Sequence, residues 1–384
     1  MTRLPRDLWF LVGAELLWGL GFGLLSAIWP LYLTDLGARP QEIGVVFGAG
    51  NLVAVLCFLP AGYLADRVGR KAVLLAAYVA STLGVWSFVP LGDWHGAFLG
   101  SALYWSGSAS LPVMFALISA TVPRAQLGSA MGLVLGAYFA GNIAGSPLAG
   151  PIAVGFGLRA AVAVAAVLLT VSTALILGLR ATPPLPERGA FRPPRAFWTL
   201  LAVTPFGAAL SILSLALLPV YLRDVAAVPL ERIGFYLGLI SLGATLLAVG
   251  MGRLADALGT VPALIAAACV LTGAALLVAF SGRNEPIIAV AALLLGATQA
   301  PNPVLAAAVE RIIPPARAAF GYATYQVAFA IGFGSGGTIA GFLYEADPLL
   351  PFIVTAALAL PVAATIAAVL SSATAPLKLT SELS

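Results

Sequence analysis

The sequence predicts an all-α integral membrane protein: twelve transmembrane helices in two six-helix bundles related by a pseudo-two-fold repeat. Three observations carry this. Of 384 residues, 61% are hydrophobic and only 9% charged, and the mean hydropathy of +1.03 exceeds what a soluble domain of this length can hide from water. The apolar residues fall into runs of about twenty, the length that crosses a bilayer as a helix. A charged segment between two such runs, Gly62 to Lys71, returns in weaker form at Gly252 to Gly259, 190 positions later.

In chain order the predicted spans are Leu8–Leu33, Gln41–Ala61, Ala72–Leu91, Gly96–Ala120, Gly128–Val154, Leu158–Leu179, Phe197–Leu222, Ile233–Met251, Pro262–Phe280, Pro286–Ala308, Ala318–Tyr344 and Pro348–Leu370. No alternating apolar–polar pattern competes with a helical reading, and backbone groups in lipid must be satisfied within the segment. The first run follows Arg3 and Arg6 as a signal peptide would, but Glu15 interrupts its apolar core, so it is read as a span. Cys57 and Cys269 lie inside apolar runs and are expected to act as small apolar residues, with no disulfide or metal role.

Basic residues set the expected orientation. With the N-terminus cytoplasmic, 14 of the 19 Lys and Arg fall on inner segments, and only Arg39, Arg159, Arg223, Arg232 and Arg283 fall outside. Both termini are therefore expected in the cytoplasm of a multi-pass protein of the cytoplasmic (inner) membrane. The same bias explains the net charge of +4 without a nucleic-acid partner. The halves repeat: Trp29-Pro30-Leu31-Tyr32-Leu33-Thr34-Asp35 parallels Leu218-Pro219-Val220-Tyr221-Leu222-Arg223-Asp224, and Ile43-Gly44 parallels Ile233-Gly234. Six spans followed by six in the same sense is a parallel repeat, the plan of carriers whose halves rock about a central site. The expected division is an N-terminal bundle over 1–180, a Pro- and Arg-rich cytoplasmic linker over 181–195, and a C-terminal bundle over 196–384.

The charged segment resembles the signature loop of the major facilitator superfamily. Gly62, Leu64, Asp66, Arg67, Gly69, Arg70, Lys71 and Leu74 fit its pattern between the second and third spans, and Gly252, Asp256 and Gly259 form a degenerate second copy. The resemblance covers nearly the whole chain and is strongest to the twelve-helix drug:proton antiporter branch. It implies the fold of that superfamily and a gating role for this loop in alternating access. In the fifth span, Gly141, Gly145, Pro147 and Gly150 resemble the exporters' glycine- and proline-rich hinge and packing motif, with Ser146 and Ala149 as departures. Leu103 stands where such exporters often carry a fourth-span Arg, which puts an Arg-assisted proton relay in doubt.

Glu15 is the one acid placed well inside a span. A charge at that depth is expensive and marks a functional candidate, here a proton-coupling or cation-binding residue. Helical spacing puts Trp18, Gly19, Phe22, Ser26 and Trp29 on its face. Further cavity candidates are Tyr104 and Trp105 in the fourth span, Tyr138 and Asn142 in the fifth, Gln299 and Asn302 in the tenth, and Tyr325 and Gln326 in the eleventh. Together they suggest an apolar, aromatic pocket with a few amides. No Lys or Arg is placed at mid-depth, which disfavours anionic substrates.

Enzyme chemistry finds little support. The one histidine, His95, falls in a short outer loop, and no H-E-x-x-H, G-x-S-x-G or P-loop occurs. Gly332-Phe333-Gly334-Ser335-Gly336-Gly337 matches G-x-G-x-x-G but lies within an apolar helix, so it is read as a close-packing or hinge segment. A channel is disfavoured by the repeat and by the lack of charged rings. The expectation is a monomeric secondary active transporter in membrane lipid, an antiporter for efflux of small amphipathic or cationic compounds by alternating access. It needs no cofactor beyond the proton gradient as energy source. The alternative is a carrier for a neutral metabolite such as a sugar or amino-acid derivative.

Overall fold

The computed structural model describes residues 5–122, 126–180, 193–299, 305, 309, 312, 313 and 318–381, with the side chains of 66, 120, 318, 319 and 371–381 outside that description. Among the described residues there are helices and turns and no strand. Eleven helices among the described residues are long and apolar enough to cross a membrane: Arg6–Asp35, Pro40–Ala65, Arg70–Phe88, Trp94–Ser119, Leu127–Phe156, Leu158–Leu177, Arg195–Asp224, Leu230–Leu258, Thr260–Ser281, Phe320–Ala346 and Leu350–Leu370. The expected tenth span is the shorter apolar helix Glu285–Gln299, beyond which most residues to 317 lie outside the description. Spans are therefore numbered one to twelve. The near face is where the first span starts and the far face is where it ends at Asp35. Most of the expected linker, 181–192, lies outside the description.

The helices run longer than their apolar cores because polar ends project past them. The fourth span tightens into a 3-10 turn at Gly107–Ala109, the seventh breaks after Leu213 and resumes at Leu218, and the tenth tightens into a 3-10 turn at Gly296–Gln299. Sharp corners fall at glycines whose φ is closed to side-chain-bearing residues. Gly69 joins spans two and three with φ 95°, and Gly259 joins spans eight and nine with φ 96°.

The repeat seen in the sequence is a repeat of contacts. Tyr32 donates its hydroxyl to the Phe88 carbonyl at 2.8 Å, and Tyr221 makes the equivalent bond to Val278 at 3.1 Å. In the first half, Gly141 and Gly145 of the fifth span lie against the backbone of Leu16 and Leu20 in the first. In the second half, Gly332 and Gly336 of the eleventh span lie against Pro205 and Ala209 in the seventh. The G-x-G-x-x-G segment thus packs helices, as read from its setting.

The other edges of the fifth and eleventh spans meet the opposite half. Gly150 faces Leu230 and Glu231 of the eighth span, and Gly234 faces the Ser146 carbonyl. Gly341 faces Pro40 and Gln41 of the second span, and Gly44 faces the Gly337 carbonyl. The two seams are copies of each other, shifted by 190 or 191 positions. Lipid supplies no hydrophobic drive between helices, so this close approach of backbones is what association rests on.

A side chain at these glycines has nowhere to go. A Cβ on Gly145 would overlap the Leu20 carbonyl oxygen, whereas one on Gly132 in the same helix meets nothing within 4 Å. Overpacking of this kind costs about 1–3 kcal/mol. Gly145→Val should therefore lower the thermal unfolding midpoint of the purified protein clearly, and Gly132→Ala should leave it unchanged.

Candidate functional site

Glu15 is buried, at 8% exposure, in the first span. The Tyr78 hydroxyl of the third span donates to its carboxylate. Trp18, one turn on, packs its ring 4.5 Å from that of Tyr78. The close backbone approach at Gly19 brings the fifth span alongside, and Phe22 meets Tyr138 at 6.0 Å. Asn142, one turn beyond Tyr138, is buried. Its Oδ1 accepts from Ser146 at 3.2 Å and, across the boundary between halves, from Ser241 of the eighth span at 3.0 Å.

A second group is aromatic. Trp105 of the fourth span meets Phe47 of the second at 5.3 Å and Phe333 of the eleventh at 6.0 Å. Phe47 also meets Phe333 at 5.4 Å, and Phe329 stacks on Phe333 at 5.6 Å. Tyr104 packs against Trp105 and lies near Tyr138, which links the two groups. The coupling candidate Glu15 and six of the predicted cavity residues, Trp18, Phe22, Tyr104, Trp105, Tyr138 and Asn142, therefore fall into one connected zone. Ser26 is half-buried and bonds back to Gly23 in its own helix. Trp29 packs at a tilt against Phe88 and belongs to packing nearer the far face. Gln299 and Gln326 are half-buried. Tyr325 is buried in the core of the second half with Phe197 and Leu200, its ring 6.3 Å from that of Phe329. Asn302 lies outside the described residues.

Tyr78, Phe47, Phe333 and Ser241 were not singled out by the sequence reading. Tyr78 had a usable signal. It sits eight residues into a span that starts at the near face, and Glu15 sits nine residues into its own. A tyrosine and an acid at equal depth in two spans of one bundle are candidates to meet.

In the signature loop, Gly62 faces open space, Arg67 lies over the Tyr63 ring at 4.3 Å, and Arg70 is buried. Lys71 donates to the carbonyls of Leu177 and Leu179, at the near end of the sixth span. A cation there is favoured by the helix dipole and satisfies carbonyls that lack helical partners. This contact ties the loop to its own half. The Asp66 side chain lies outside the described residues. In the degenerate copy Gly252 faces open space and Asp256 is exposed.

The joined edges lie toward the far face. There Arg223 pairs with Asp224 at 2.7 Å and reaches across to Asp35 at 3.2 Å. The two aspartates are repeat equivalents, so one arginine bridges both halves. Toward the near face the glycines of the same two helices, Gly128, Gly132 and Gly136 of the fifth span and Gly250 and Gly252 of the eighth, face open space. Phe115 and Tyr322 meet across the halves on that side at 6.2 Å.

The family model for the Major Facilitator Superfamily matches residues 11–244 and 199–382. The multi-drug resistance efflux pump PmrA of Streptococcus pneumoniae serotype 4 is 28% identical over 66% of this chain and 67% of its own length. The multidrug resistance protein MdtG of Dickeya zeae is 30% identical over 73% of each chain. Among solved structures, the nucleoside transporter NupG superposes with a TM-score of 0.74 at 14% identity, covering 97% of this chain and all of that one. The human organic anion transporter MFSD10 superposes with a TM-score of 0.71 at 17% identity, covering 94% and 99%. At these identities the structures speak for the fold alone.

The Arg223 bridge makes a local prediction. Exposed ion pairs contribute about 0.2–1 kcal/mol, equivalent to a several-fold change in opening. Arg223→Ala should speed amide exchange in the far-face turns at residues 36–39 and 225–228 by roughly two- to fivefold, read by hydrogen-exchange mass spectrometry.

Proposed function

The chain belongs to the major facilitator superfamily, and from that premise we propose that it exports small amphipathic or cationic compounds in exchange for protons. Membership makes it a multi-pass membrane transporter and not an enzyme. The finer reading rests on one observation above the rest: a buried carboxylate, Glu15, set among Trp18, Tyr78 and Tyr138 with no lysine or arginine bonded to it among the described residues. Such a group takes up and releases a proton, or pairs with an organic cation over aromatic faces. Two relatives named as multidrug efflux or resistance proteins support the export direction.

The near face is the cytoplasmic one, on the strength of the basic residues gathered there, and the membrane is the inner membrane. The arrangement described, joined at the far face and parted between the near ends of the fifth and eighth spans, fits the state that receives substrate from the cytoplasm. The halves then rock so that the far seams part and the near ends close. Glu15 gains its proton when the site opens outward and gives it up inward. The proton gradient supplies the energy, no cofactor takes part, and a single chain holds the complete site.

Proteoliposomes bearing the full chain test the reading, with tetraphenylphosphonium or ethidium as probe. Addition of the cation should release protons from the wild type. Glu15→Gln should remain folded and abolish both proton release and gradient-driven uptake. Full retention of coupled transport in Glu15→Gln would contradict the role given to this residue.

A further inference from the structure

We infer that Tyr78 is a positioning residue for Glu15, held in register by the sixth span, and that its hydroxyl sets the pH range over which the carrier works. The inference rests on the reading of Glu15 as the coupling group.

The geometry points to more than packing. Tyr78 is 2% exposed and places its polar atom on the one buried acid of the first span. Both partners are fixed by consecutive hydroxyls of one helix. Ser172 donates to the Ala14 carbonyl at 2.7 Å, directly beside Glu15. Thr173 pairs with Thr82 at 2.8 Å, one turn beyond Tyr78. On its other side the third span is pinned to the fourth, where Ser81 donates to the Tyr104 carbonyl. First, third and sixth spans belong to one bundle, so the Tyr78–Glu15 contact travels with that half as the halves rock. The Asn142–Ser241 contact crosses between the halves and has to break. The carboxylate therefore keeps one fixed donor in every state of the cycle, while its access to water changes.

A neutral hydroxyl donating to a carboxylate favours the ionised form over the protonated one. The titratable groups facing Glu15 among the described residues are Tyr78 from the third span and Tyr138 from the fifth. The first span's near neighbours on the same face, Trp18 and Gly19, carry no titratable atom, nor do Ser172 and Thr173 of the sixth. Tyr78 is the one of these groups bonded to the acid.

The test compares wild type, Tyr78→Phe and Glu15→Gln in proteoliposomes, reading the initial rate of proton-driven tetraphenylphosphonium transport against pH. Phenylalanine keeps the ring against Trp18 and removes only the hydroxyl. The expected result for Tyr78→Phe is a profile displaced toward higher pH by about one unit, a tenfold change in proton concentration, with transport still coupled. A purely structural tyrosine would lower the rate at all pH values alike. A Tyr78→Phe profile that superimposes on wild type, beside an inactive Glu15→Gln, overturns this inference and leaves the coupling role of Glu15 standing. Coupled transport by Glu15→Gln overturns both. Should Tyr78→Phe fail to fold, the wild type gives the answer by infrared difference spectroscopy. The carboxyl band that vanishes in Glu15→Gln should sit at the frequency of a hydrogen-bonded acid, and a free-acid frequency overturns the inference.

Discussion

Backbone-to-backbone contact through glycine is the constraint from which the rest of this structure follows. The fifth and eleventh spans each carry two glycine edges. One edge presses against the first or seventh span of its own half, and the other presses against the eighth or second span of the opposite half. A bilayer offers apolar helices no reason to leave lipid for one another. Close approach, with the dispersion contacts it permits, is the remaining source of cohesion. The same helices thus build each half and join the halves.

The site inherits its place from those joints. Close approach at Gly19 and Gly141 draws the fifth span onto the first, which brings Tyr138 to Phe22 and Asn142 to the boundary with Ser241. On the other seam the repeat-equivalent of Asn142 is Phe333, and an aromatic group forms there with Phe47 and Trp105 in place of an amide–hydroxyl bond. The protein has therefore kept its symmetry in packing and lost it in chemistry. The buried acid Glu15 lies with the first span, and the ring cluster of Phe47, Trp105 and Phe333 joins the second, fourth and eleventh.

Much of this was legible in the sequence because it depends on period and composition. Span count, the repeat and the packing sense of both glycine motifs follow from residue types at fixed spacing. Helix interruptions at Gly107 and Gly296 were not legible, since a 3-10 turn changes hydrogen-bond register without changing hydropathy. Side-chain direction in the eleventh span was also hidden. That helix is apolar or small on every side, so nothing in the pattern says that Tyr325 faces its own core while Phe333 faces the other half. Tyr78 escaped for a third reason: its importance comes from a partner in another span, and only the matched depth of the two residues hinted at it.

The central claim is that the two far-face seams hold the halves together in this state and must part for transport. The most direct measurement introduces Asp35→Cys and Arg223→Cys, positions that meet across the halves at the far face, in a chain whose free cysteines Cys57 and Cys269 are replaced by alanine. A short bis-methanethiosulfonate reagent should cross-link the halves and stop transport in proteoliposomes, and reduction should restore it. Undiminished transport by the cross-linked protein would contradict the account, because substrate would then be crossing while the seam stays closed.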